Sequence, residues 1–169
     1  MNNPDRRISP KTIAFVITMG GLANILALVA IPIGITSIHL IQLPIILTGL
    51  VLGPLAGGLV GFVGAVTMAF TLLKPNPYIL LGNAILGGLT GLFYRYLGKR
   101  GWRPIIPQTV SVLIAYAVQM PYVYVTDIYL MGMPQPIVLV IILKLLLEDL
   151  VSVFISHVIL YRLELSKIL

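Results

Sequence analysis

Two opposite charges lie four residues apart in a strongly apolar stretch near the end of the chain. Lys144 and Glu148 belong to a run from residue 137 to 163 that is predicted to form one long helix. Residues at this spacing share a helix face, and this order lets the two side chains pair. A charge in hydrocarbon costs about 2.5 to 3.5 kcal/mol even on the most lenient scale, so such residues usually face a cavity or each other. Two roles therefore stay open for Lys144, which are neutralising Glu148 and binding a polar or anionic ligand.

Three polar residues near the ends of other apolar runs join this candidate set. Asn83 lies about one and a half turns into a predicted helix. A lone amide there either bonds a neighbouring helix or contacts a ligand. His39 and Gln42 directly precede a further apolar run, where they would line the mouth of a pocket. No second histidine or carboxylate has metal-ligand spacing to His39, so no metal site is predicted.

Aromatic and polar residues in two connections complete the candidate site. Tyr122, Tyr124 and Tyr129 cluster with Asp127 between the fifth and sixth predicted helices. They would form either a lid that stacks on a flat ligand or an ordinary belt of interfacial aromatic residues. Asn76 lies in a short, rigid loop that could close the same mouth. Lys144 favours an anionic or polar ligand, and the tyrosines favour a flat one.

Composition places these residues in a membrane. The chain is 59% hydrophobic and 9% charged, with a mean hydropathy of +1.05, whereas soluble domains carry about a quarter charged residues. It therefore reads as an integral membrane protein with no room for a soluble domain. The absence of cysteine excludes disulfide and thiol chemistry. The net charge of +6 arises at helix ends, where basic residues set membrane topology, so no nucleic-acid partner and no cofactor is predicted.

Glycine and proline divide the chain into six predicted helices, giving an all-α membrane protein in the form of a compact bundle. The predicted helices cover residues 12–35, 38–52, 56–73, 78–97, 105–122 and 137–163, the fifth continuing irregularly toward Tyr129. The second and third are separated at Gly53-Pro54. Small residues then recur every fourth position at Gly57, Gly61 and Ala65, which creates a face that another helix can approach closely.

The distribution of basic residues predicts that both termini are cytoplasmic. Six helices place on the inner side Arg6, Arg7, Lys11, Arg95, Lys99, Arg100, Arg103, Arg162 and Lys167. Lys74 alone falls outside, and five helices would reverse this imbalance. We therefore expect cytoplasmic tails at residues 1–11 and 164–169, and one transmembrane domain at residues 12–163.

The organisation of the chain resembles that of the substrate-binding S component of an energy-coupling factor (ECF) transporter, the vitamin-uptake class of ABC importers. The resemblance rests on chain size, six helices with both ends inside, and four motifs. These are Ser37-Ile38-His39-Leu40-Ile41-Gln42-Leu43-Pro44, Gly53-Pro54-Leu55-Ala56-Gly57, Asn76-Pro77 and Gly82-Asn83.

The resemblance implies a multi-pass protein of a prokaryotic plasma membrane that binds a water-soluble vitamin, or a related small metabolite, from outside. Such a protein docks on an energy-coupling transmembrane subunit with two ABC ATPase subunits and catalyses nothing itself. The sequence agrees, because it has no phosphate-binding loop. In the family, the first helix carries an Ala-x-x-x-Ala face for its partner. The matching residues here are Gly20, Gly21, Ala23 and Ala27.

Other classes of membrane protein remain as alternatives. A stand-alone carrier usually shows internal repeats, and no clear repeat relates the two halves of this chain. A structural subunit of a larger membrane complex is a further alternative. A membrane enzyme is disfavoured because the common hydrolase and metalloprotease motifs are missing from the sequence.

Overall fold

The computed structural model describes residues 9–33, 36–71, 75–101 and 103–163, and these are mainly helical. The helices are α1 (Pro10–Leu28), α2 (Gln42–Leu52), α3 (Pro54–Gly64), α4 (Val66–Thr71), α5 (Tyr78–Leu97), α6 (Ile105–Val125) and α7 (Gln135–Leu163). With α3 and α4 taken as one interrupted helix, the described residues contain the six predicted helices, and the all-α fold class is confirmed. Most of both predicted tails lies outside the described residues, as do Arg6, Arg7, Lys74 and Lys167.

Three stretches of the described chain are long and apolar enough to cross a membrane. They are Pro10–Leu28, Pro54–Thr71 and Ile105–Leu130. The apolar helix α2 is shorter, at 11 residues. The described chain therefore combines long apolar helices with a shorter one.

The first helix ends earlier than predicted. We expected it to reach Ile35, but α1 ends at Leu28 and is followed by the antiparallel strands β1 (Ile31–Ile33) and β2 (Thr36–Ile38). Pro32 explains the difference, because it has no N–H to donate and disfavours helical geometry at the residue before it. As Ile38 belongs to β2, the second helix begins at Gln42 instead of Ile38.

Glycines bring α2, α3 and α5 into backbone contact. Gly53 turns the chain between α2 and α3 with a φ of 90°, a conformation that glycine adopts without strain. A Cβ atom on Gly57 or Gly61 would overlap backbone atoms of Gly87 or Asn83 in α5. The small residues therefore form the close helix contact that their spacing predicts.

The third predicted helix is broken at Ala65, which is a correction to the single helix expected over residues 56–73. Ala65 lies between α3 and α4 with φ −91° and ψ 1°. The side chain of Asn24 in α1 accepts a hydrogen bond from the Thr67 N–H at 2.8 Å and donates one to the Val63 carbonyl at 2.9 Å. A side chain inserted into the helical hydrogen-bond ladder is a known cause of such a break.

The last two helices are joined by an irregular segment, as predicted. Helix α6 continues through Pro121 to Val125, three residues beyond the expected end, and Thr126–Leu130 then forms a π-helical turn. The chain turns again at Gly132, with a φ of 67°. Helix α7 begins at Gln135, two residues earlier than expected, and runs without interruption for 29 residues.

Candidate functional site

A cavity of about 340 Å³ lies at one end of the bundle, within the usual size range of small-molecule sites. Strands β1 and β2, which we call the hairpin, lie at this end. They meet there the beginnings of α2, α5 and α7 and the ends of α4 and α6. Apolar and polar residues both line it. The polar side chains among them are Ser37, His39, Gln42, Asn76, Tyr78, Asn83, Gln119, Tyr122, Thr126, Asp127, Lys144 and Glu148.

Eight of the nine residues predicted for ligand binding line this cavity. They are His39, Gln42, Asn76, Asn83, Tyr122, Asp127, Lys144 and Glu148. Tyr124 does not, since its hydroxyl accepts a hydrogen bond from the Gln135 side chain at 3.2 Å instead. Tyr129 is 72% exposed, and Tyr122 is the one member of this tyrosine cluster that lines the cavity, so a tyrosine lid stays a prediction.

Glu148 connects α7 to the segment before α2. Its Oε1 atom lies 3.3 Å from Lys144 Nζ and accepts the backbone N–H of His39 at 2.6 Å. Glu148 is 1% exposed and Lys144 10%. The predicted ion pair is therefore formed, and because both partners also line the cavity, pairing and ligand contact are compatible roles.

The imidazole of His39 is held in its neutral form near pH 7. Burial is the main cause that lowers the pKa of His39, and the positive charge of Lys144 acts in the same direction. A hydrogen bond with the backbone of Ala27 opposes both. A neutral imidazole beside Lys144 avoids a second positive charge at this wall of the cavity.

Two amides in the cavity wall have their orientation set by backbone carbonyls. Asn83 Nδ2 donates to the carbonyl of Ile79, and Gln119 Nε2 donates to that of Gly82, each at 3.0 Å. Their side-chain oxygens consequently point away from these bonds. Among the described residues, Asn83 Oδ1 and Gln119 Oε1 have no hydrogen-bond partner, and neither have Gln42 Oε1 and Glu148 Oε2. The buried wall thus offers acceptors to a ligand that carries donors.

Asn76 joins three segments at the mouth of the cavity. Its backbone N–H donates to the Ala69 carbonyl of α4 at 2.8 Å, and its Nδ2 donates to Asp127 Oδ1 at 2.9 Å. Its Oδ1 accepts the N–H of Tyr78 at 3.1 Å. The hydroxyl of Tyr122 adds a bond to the Tyr78 carbonyl at 3.0 Å. Hydrogen bonds therefore join side chains at the mouth that come from two connections far apart in the sequence.

Sequence reasoning missed several lining residues, of which Gln119 is the most informative. It lies three residues before Tyr122, and this spacing puts both side chains on one face of α6. An amide one turn from a candidate tyrosine is a signal that could have identified it. Met68 and Met133 also line the cavity, but apolar residues carry no such signal in a chain that is apolar throughout.

The residues predicted for partner docking lie on α1, and three of the four face inward. Gly20, Ala23 and Ala27 are buried, and Gly21 is exposed. Gly64 of α3 fits so closely that a Cβ atom there would meet the Ala23 side chain at 2.6 Å. Val63 and Gly64 of α3 therefore lie against Gly20 and Ala23 within the same chain. Partner docking itself stays a prediction.

Comparisons with known proteins agree with this architecture. The family model of the "ECF-type riboflavin transporter, S component" matches residues 7–167. The solved structure described as "Structure and mechanism of the S component of a bacterial ECF transporter" is similar, with a TM-score of 0.69 and 20% sequence identity. The match covers 91% of this chain and 95% of that chain. At that identity, the likeness shows the fold.

No curated protein sequence matches the chain. The resemblance proposed from the sequence motifs is nevertheless confirmed, because the family model spans nearly the whole chain. The family is a substrate-binding component of a membrane transporter and has no enzymatic activity of its own. The chain belongs to the S components of ECF-type riboflavin transporters.

Proposed function

We propose that this chain binds riboflavin in the cavity at the hairpin end of the bundle. The family match suggests the ligand, and the chemistry of the cavity supports it. Riboflavin has a flat, fused ring that carries an imide N–H, and a flexible chain with several hydroxyl groups. The unpaired oxygens of Gln42, Asn83, Gln119 and Glu148 are acceptors suited to those donors. These four buried acceptors are the observation that carries the proposal.

The remaining walls suit the flat ring. Met68, Ile79, Ile141 and Leu145 provide apolar surface around the polar set. Apolar walls with a few convergent polar groups are typical of small-molecule sites, since the apolar area supplies affinity and the polar groups supply orientation. Lys144 lies among them as a cation that could contact a carbonyl of the ring.

The cavity opens to the outside of a prokaryotic plasma membrane. Lys11, Arg95 and Arg162 lie at the helix ends that face away from the hairpin, as do Lys99, Arg100 and Arg103 in the α5–α6 connection. Positive residues favour the cytoplasmic side, which puts both termini inside and the cavity outside. Cysteines replacing the exposed Pro75 and Lys99 should react with a membrane-impermeant reagent from outside and inside, respectively. Labelling of both from outside would reject this orientation.

Transport depends on an energy-coupling transmembrane subunit with two ABC ATPase subunits. The sequence contains no phosphate-binding loop, so ATP must be hydrolysed by a partner. The outer surface of α1 is the proposed contact, because Gly21 is exposed there with Ala14 and Thr18. These small residues allow close approach of another helix in lipid. Loss of co-purification after Gly21→Leu, with riboflavin binding retained, would support this surface.

Riboflavin binding by the purified protein is the direct test. Titration in detergent, followed by the fluorescence of riboflavin, should show saturable binding with one ligand per chain. Native mass spectrometry of the untreated protein should show the same ligand. Gln119→Met should weaken binding, whereas Gln108→Met is a matched control in the same helix, with a side chain that bonds His157 at the other end of the bundle. Saturable binding of an unrelated vitamin, with no response to riboflavin, would overturn the assignment.

A further inference from the structure

Asn24 is a polar residue of the mainly apolar α1 and lies outside the cavity lining. Its Nδ2 donates to the carbonyl of Gly20 in its own helix and to that of Val63 in α3, each at 2.9 Å. Its Oδ1 accepts the backbone N–H of Thr67 at 2.8 Å. One side chain thus uses its full amide to join α1 to the α3–α4 junction.

The two backbone groups that Asn24 holds are natural partners of each other. Val63 and Thr67 are four residues apart, and in an unbroken α-helix the Thr67 N–H would donate to the Val63 carbonyl. The amide of Asn24 replaces that bond with two of its own. In hydrocarbon, both groups must be satisfied within the protein. The break at Ala65 is therefore sustained by a residue from another helix.

The direction of α4 after this break determines one side of the cavity. Met68 of α4 lines the cavity, and Ala69 accepts the backbone N–H of Asn76. Asn76 in turn donates to Asp127 at the mouth. A chain of contacts consequently runs from Asn24, through α4, to the mouth, although Asn24 does not itself reach the cavity.

We propose that Asn24 is a positioning residue that sets the riboflavin affinity of the cavity by holding the α3–α4 break open. The proposal rests on the function proposed above. Without the amide, Thr67 and Val63 can pair with each other, so α3 and α4 join into one helix. The protein then stays folded, but Met68 and Asn76 leave the positions that shape the cavity and its mouth.

Asn24→Leu tests this with a side chain of similar size that makes no hydrogen bond. We expect a thermal midpoint close to that of the parent and riboflavin binding weakened about tenfold or more. Thr12→Leu is the matched control, because Thr12 lies on the same helix at the end away from the cavity, and this variant should bind riboflavin as the parent does. Unchanged affinity in Asn24→Leu overturns the proposal.

A second measurement distinguishes positioning from general damage and needs no ligand. Spin labels at the exposed Phe70 of α4 and Val125 of α6 should report a changed distance in Asn24→Leu, in the absence of riboflavin. The affinity losses of Asn24→Leu and Met68→Ala should also add incompletely, since both act through α4. An unchanged distance, or full additivity, overturns the proposal. If the parent fails to bind riboflavin while the distance changes, the proposed ligand is wrong and the link between Asn24 and α4 stands.

Discussion

The contact of α2 and α3 with α5 and the cavity wall on α6 and α7 are built in opposite ways. The first is made by the absence of side chains, since Gly57 and Gly61 let backbones touch. The second is made by side chains whose polar atoms remain open, such as Gln119 and Glu148. Asn83 belongs to both, because its backbone packs on Gly61 and its side chain lines the cavity. The close backbone contact of α2 and α3 with α5 thus supports a cavity in which several polar side-chain atoms have no hydrogen-bond partner among the described residues.

The largest effect is expected where a side chain is added to the glycine contact. Gly57→Ala should lower the thermal midpoint of the purified protein, because the new Cβ overlaps the backbone of Gly87 and Gly49. Overpacking of this kind costs about 1–3 kcal/mol. A thermal unfolding assay in detergent measures the change.

The neighbouring glycine provides the matched control. A Cβ atom on Gly58 would lie 3.6 Å from the Ala84 carbonyl oxygen, which is ordinary contact, so Gly58→Ala should leave the midpoint close to that of the parent. Equal losses at the two positions would show that the effect arises from helix propensity or lipid contact and not from the close approach to α5.

The next effect is expected at the ion pair in the cavity wall. Lys144→Met with Glu148→Gln removes both charges without leaving one of them unpaired. Losing a charge-assisted hydrogen bond to the ligand costs about 1.5–3 kcal/mol, or roughly 10- to 150-fold in affinity. Riboflavin titration of the double variant measures it. If the variant folds and binds as tightly as the parent, Lys144 serves to neutralise Glu148 and the amides hold the ligand.

A smaller effect separates two buried polar residues of α5. Asn83→Leu removes an acceptor from the cavity, and a neutral hydrogen bond contributes about 0.5–1.5 kcal/mol, or roughly 2- to 12-fold in affinity. Thr90 is also buried in the same helix but does not line the cavity. Thr90→Val should therefore leave riboflavin affinity unchanged. Equal losses in both variants would place their cause in helix packing.

The smallest effect concerns pH. The pKa of His39 is lowered in the folded protein, so the unfolded chain takes up the proton first as the pH falls below about 6.5. Stability is therefore complete above that pH and is lost as the pH falls toward the lowered pKa. The thermal midpoint should fall between pH 7.5 and pH 5.5, and His39→Asn should reduce the fall. An identical pH profile in the variant would assign the effect to other groups.

The helices and most of the polar residues of the cavity could be predicted from local sequence. Hydropathy and the breaker at Gly53-Pro54 predicted six helices, because both act over a few residues. Lys144, Glu148 and Asn83 were identified because polar groups at membrane depth need partners or a cavity. The same reasoning could not orient Tyr124, since its neighbours in space come from α7 and not from its own helix.

The sequence by itself determined three features: a bundle of membrane helices, a close helix contact at glycines, and polar residues near the helix ends. It could do so because composition and spacing are local properties. The tertiary structure decided which surfaces are covered. The small residues of α1 form a packing surface by their spacing, but only the fold reveals that α3 covers it at Gly20 and Ala23. The break at Ala65 likewise depends on Asn24, which lies 43 residues before Thr67 in the chain. A hydrogen bond between distant segments leaves no periodicity in the sequence, and here it directs the segment that shapes the cavity.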